Sequence, residues 1–84
     1  MDSSLLDTRN KILTPGSGTT AYIDYSEKNK ILEVEFDGGH VYHYLAVEPE
    51  RWEEYKEILK SGASSGIYVN TKIKPRYKYR RIRW

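Results

Sequence analysis

From Ile31 to Phe36 the chain alternates strictly, with Leu32, Val34 and Phe36 on one side and Glu33 and Glu35 on the other. This is the period-two pattern of a strand with one buried face. Asp37-Gly38-Gly39 follows as a hairpin signal. The next strand, His40 to Val47, alternates Val41, His43, Leu45 and Val47 against Tyr42, Tyr44 and Ala46. A two-residue turn would place Val41, His43 and Leu45 beside Val34 and Phe36; a three-residue turn would place Tyr42 and Tyr44 there. The two glycines suit the three-residue loop with its left-handed residue and bulge, so the tyrosines are expected on the core side. Upstream, Thr19 to Tyr25 is β-branched and aromatic and reads as a first strand. The polar stretch after it is expected to turn through Asn29.

The period changes after Pro49. Trp52, Tyr55, Ile58 and Leu59 share one face of a helix predicted over Pro49 to Lys60. Pro49 suits its first turn, Glu50, Glu53 and Glu54 sit near its positive end, and Gly62 stops it. Ser61 to Gly66 is a loop. The chain then alternates again, with Ile73, Pro75, Tyr77 and Tyr79 opposite Lys72, Lys74, Arg76, Lys78 and Arg80. That pattern predicts a last strand, at an edge because Pro75 cannot donate to a ladder. The period breaks at Arg80-Arg81, so Arg80 to Trp84 is expected to be a loose end. Residues 1–18 read as an N-terminal arm, partly disordered or loosely docked, in which Leu5, Leu6, Ile12 and Leu13 form a short helical turn; the domain is residues 19–84.

Charge sharpens this picture. Thr71 to Trp84 holds seven of the fourteen Lys and Arg and none of the twelve Asp and Glu, so the tail carries about +7 and the other seventy residues about −5. Tyr77, Tyr79 and Trp84 interleave with the cations, the combination that meets phosphates and stacks on unpaired bases. Solvated charges on an edge strand would also blunt aggregation, and the tail could instead pair with the acidic helix and with Glu33 and Glu35.

Eighty-four residues make one small domain, which buries only about 60% of its unfolded surface. Eight Tyr and two Trp supply the core mass that the aliphatic residues lack. With no Cys and no His-x-x-x-His spacing, no disulfide and no metal site is expected. His40 and His43 lie on opposite faces of one strand, so they cannot chelate together. Ser64-Ser65-Gly66 lacks the partners of a nucleophile and reads as a connector. No catalytic residue and no cofactor is predicted. The amino-terminal stretch has neither a basic region nor an apolar run, and no segment could span a bilayer, so a cytoplasmic protein without a membrane partner is expected.

The runs Tyr22-Ile23-Asp24-Tyr25, Leu32 to Phe36, Gly39 to Tyr44, Val47-Glu48-Pro49 and Ser65 to Asn70, then Ile73 and Tyr77-Lys78-Tyr79, together resemble the KTSC domain. That family is named for the C-terminus of some lysyl-tRNA synthetases and occurs also as free-standing small bacterial and phage proteins. Its Tyr-x-Tyr hallmark is Tyr42-His43-Tyr44 here, and the likeness spans roughly residues 17–82. Ser17 matches one of the family's paired serines, but Gly18 stands where the second falls, and Asp24 replaces a common Gly. The resemblance implies RNA binding.

The expected fold is α+β: a small antiparallel sheet of four to five strands with one helix packed on one face, in the order β-β-β-α-β. The expected function is a non-catalytic module binding RNA or another nucleic acid. Lys72, Lys74, Arg76, Lys78, Arg80 and Arg81 would hold phosphates, while Tyr42, Tyr44, Tyr77 and Tyr79 would stack. The alternatives are a module that docks a protein partner and one that captures a small nucleotide.

Overall fold

The computed structural model describes residues 5–6, 10–14 and 16–83. Trp84, expected to stack, lies outside them, as do parts of the arm. Five strands form one sheet in the order β1-β2-β3-β4-β5, with every neighbouring pair antiparallel. They are β1 (Ile12–Leu13), β2 (Thr20–Ser26), β3 (Ile31–Phe36), β4 (His40–Tyr44) and β5 (Tyr79–Arg83). Helix α1 (Pro49–Lys60) and the short helix α2 (Ser65–Tyr68) stand between β4 and β5.

The β3–β4 hairpin has the three-residue loop. Phe36 pairs with His40, Val34 with Tyr42 and Leu32 with Tyr44, while Gly38 and Gly39 take φ of 94° and 89°. Both tyrosines therefore lie on the core face. The turn before β3 works differently from expectation: Lys30, not Asn29, takes the left-handed conformation, at φ 54°.

The core sits between this sheet face and the helices. Ile23, Tyr25, Leu32, Val34 and Tyr44 meet Trp52 and Tyr55 of α1, with Tyr68, Val69 and Ile73 beside them. Tyr25 stacks on Trp52 with ring centroids 5.4 Å apart, and its hydroxyl donates to the Val47 carbonyl at 2.6 Å. Each such side chain contributes about 1.5–3 kcal/mol by leaving water.

Four further expectations need correction. The last strand is not the alternating stretch from Thr71 to Tyr79. Val69–Ile73 instead winds into a wide π-turn, closed by the Lys74 amide donating to the Val69 carbonyl at 2.9 Å, and residues 74–76 turn. Ile73 is buried beside Val69 because the wide turn brings both inward. β5 is the segment expected to be loose: Tyr79 pairs with Tyr44, Arg80 with His43 and Arg81 with Tyr42, and a bulge then brings Arg83 to Val41. The bulge falls at Ile82, one residue past the break in the sequence period at Arg80-Arg81. In the arm, Ile12 and Leu13 are not helical; they pair with Ile23 and Tyr22 as β1. Finally, Glu33 does not face solvent. It is 1% exposed, because the arm crosses the second sheet face and the Leu6 amide donates to its Oε2 at 2.8 Å.

Candidate nucleic-acid interface

Beyond the reach of α1, the core face of the sheet continues over β4 and β5 and carries aromatic rings. Tyr42 and Tyr44, two apart on β4, lie nearly parallel with centroids 6.3 Å apart, and Tyr79 of β5 stands 5.3 Å from Tyr42. Phe36 meets Tyr42 edge-on at 5.5 Å. These rings, with His40, Lys74 and Arg81, line a groove of about 430 Å³. Tyr44 forms its floor, buried, and burial followed by the neighbouring Tyr42 and Tyr79 pushes its phenol well above the usual tyrosine range. Its hydroxyl therefore stays neutral. Tyr79 forms the outer wall and is 62% exposed.

Two cations reach this groove by different routes. The π-turn ends at Lys74 and holds its ammonium 4.9 Å from the Phe36 ring centre. Arg81 comes from β5 opposite Tyr42, with its guanidinium carbon 5.7 Å from that ring. Both are cation–π placements at an open surface.

The structure thus brings together five of the ten candidate residues: Tyr42, Tyr44, Lys74, Tyr79 and Arg81. The other five go elsewhere. Tyr77 turns toward α1, its hydroxyl donating to Glu48 and accepting from Arg51 Nε at 3.2 Å. Arg80 pairs with His43 on the opposite sheet face. Lys72, Arg76 and Lys78 are exposed outside the groove, and the charges of Arg76 and Lys72 are felt by the carboxylates of Glu48, just before α1, and Glu54, within it. Hydrogen bonding from Tyr77 is the main cause holding Glu48 below its ordinary range, and Tyr68 does the same for Glu54. Arg83 lies 3.4 Å from Glu35. Part of the basic tail is therefore tied to the chain's own carboxylates, the intramolecular arrangement foreseen beside the nucleic-acid one.

Sequence reasoning missed Phe36 and His40 as groove residues. The hairpin register was the available signal, since it sets both beside Tyr42. Near the β2–α2 contact, Ser65 proves structural: its hydroxyl is buried between Tyr55 at 2.6 Å and Thr20 at 2.9 Å. A larger groove of about 620 Å³ runs between β1 and the end of α1; Ile12, Leu13 and Leu59 line it together with Lys56, Lys60 and several hydroxyl side chains, and no ring lines it. Among the described residues no three potential metal ligands cluster, and no helix is long and apolar enough to cross a membrane.

A small antiparallel sheet with one helix across part of a face, leaving a tyrosine-lined basic groove uncovered, defines a compact α+β module. The KTSC domain profile matches residues 17–77, and the chain belongs to the KTSC family. It is 32% identical to a lysine–tRNA ligase of Nostoc punctiforme over 71 residues, 84% of this chain but only 12% of that protein. An uncharacterized protein of Stutzerimonas stutzeri is 37% identical over 67 residues, covering 79% of this chain and 89% of that one. The crystal structure of a KTSC domain protein from Yersinia pestis superposes with a TM-score of 0.62 at 30% identity, covering 79% of this chain and 87% of that one. The groove residues Phe36 to Lys74 fall within the matched span, whereas Tyr79 and Arg81 lie just past it.

Proposed function

We propose that this protein is a non-catalytic module that binds single-stranded RNA through the groove between β4, β5 and the π-turn. The observation that carries this reading is the convergence of Tyr42 and Tyr79 with Lys74 and Arg81, drawn from three separate elements. Aromatic faces at an open sheet surface stack on bases that are not paired, and flanking cations meet the phosphates. Likeness to a domain of a lysine–tRNA ligase supports an RNA context. The test is binding of a labelled single-stranded oligoribonucleotide across a salt series. Affinity should fall with added salt with a log–log slope of about −0.7 per phosphate contact. A binding constant that ignores salt, or no binding at low salt, contradicts the reading.

A further inference from the structure

We infer that the groove is a single-nucleotide site: it takes one nucleoside phosphate, free or as one unpaired residue of a strand. The base lies against Tyr42 and Tyr79, and the phosphate lies between Lys74 and Arg81. This rests on the RNA-binding reading above and narrows it.

The division of the basic tail sets the scale. Of its seven cations only Lys74 and Arg81 line the groove, while Arg80 and Arg83 go to the opposite face with His43 and Val41. Two converging cations suit one phosphate; a strand followed along its length needs a row of them. The volume, about 430 Å³, lies in the range of roughly 300–1,000 Å³ typical of small-ligand sites.

The chemistry of the walls excludes other ligands. Aromatic cages commonly take quaternary or methylated ammonium groups. Here Lys74 already lies over Phe36 and Arg81 over Tyr42, so a cationic ligand meets like charge. An anion without a ring leaves the exposed face of Tyr79 uncovered. A planar ring bearing a phosphate uses both features.

A separate observation marks the same place. His40 lines the groove, and its Nδ1 is the one buried side-chain nitrogen or oxygen among the described residues that has no hydrogen-bond partner. Buried polar atoms left in this state call for an explanation. Lys74 is exposed on a flexible stem, and its engagement by phosphate would draw it off Phe36, beside His40 in the hairpin, opening that wall to a base edge.

The experiment is a calorimetric and NMR titration of the full chain at low salt with AMP, ribose 5-phosphate, adenosine, choline and an eight-residue oligoadenylate. AMP and the oligomer should each saturate and shift Tyr42, Tyr79 and Lys74. Ribose 5-phosphate and adenosine should bind at least tenfold more weakly than AMP, and choline not at all. Tyr79→Ala and Lys74→Glu, both at exposed positions, should each weaken AMP about tenfold. If the oligomer binds while AMP does not, or ribose 5-phosphate matches AMP, the single-nucleotide site is wrong and RNA binding stands. If neither the oligomer nor AMP binds, both fall.

Discussion

His43 Nε2 lies 2.7 Å from Glu33 Oε2 on the sheet face that carries no helix. The same carboxylate accepts from Tyr22 at 2.8 Å and from the Leu6 amide at 2.8 Å. Burial alone would raise the Glu33 pKa, but the hydrogen bonds from His43, Leu6 and Tyr22 outweigh it and hold the carboxyl below its ordinary range. The N-terminal arm is thus fastened to the domain by a buried charge.

Glu33→Gln removes that charge and leaves donors poorly matched, at a cost of about 1–3 kcal/mol. Urea unfolding of the two proteins at pH 7 measures it. Equal midpoints would show that Glu33 does not fasten the arm.

The pH dependence follows from the depressed pKa. The carboxylate's contribution is complete above the unfolded-state value, about 4.3, and is lost as pH falls through the lower folded-state value. The gap between wild type and Glu33→Gln should therefore narrow as pH falls below about 5, while the carboxylate takes up its proton. A gap that keeps widening below that pH contradicts this assignment.

Gly66 carries a packing constraint. A Cβ there would fall 2.5 Å from Thr19 Cβ, where β2 and α2 approach. Gly66→Ala should destabilise by about 1–3 kcal/mol by overpacking, read as a lowered thermal midpoint. Gly18→Ala, whose Cβ would meet nothing within 4 Å, is the control.

His40→Phe exchanges an imidazole with an unpartnered buried nitrogen for a ring of similar shape. It should raise stability by about 1 kcal/mol while weakening RNA binding, the trade expected where a residue is kept for a ligand. Lower stability by differential scanning calorimetry would show that the nitrogen has a structural role.

The elements legible in the sequence were those whose pattern is local. Leu32, Val34 and Phe36 marked β3, Gly38 and Gly39 fixed the hairpin register, and Trp52 with Tyr55 marked α1. The stretch from Thr71 to Tyr79 misled because Ile73 and Tyr77 satisfy two periods at once. They alternate with the lysines, and they also stand four apart, as on a helical turn. Burial against Val69 decided in favour of the turn. Glu33 read as solvent-facing because its cover, Leu6, is 27 residues away. In the candidate site, residue types were legible but their grouping was not. The wide turn carries Lys74 into the groove, and the packing of Tyr77 against Arg51 and Glu48 takes that ring out of it.

The most direct measurement is an amide and aromatic chemical-shift map of the protein titrated with single-stranded RNA at low salt. Saturable shifts should centre on Tyr42, Tyr79, Lys74 and Arg81, with little change at Glu33 or His43. Shifts centred on the Glu33–His43 face, or none at any RNA concentration, would contradict it.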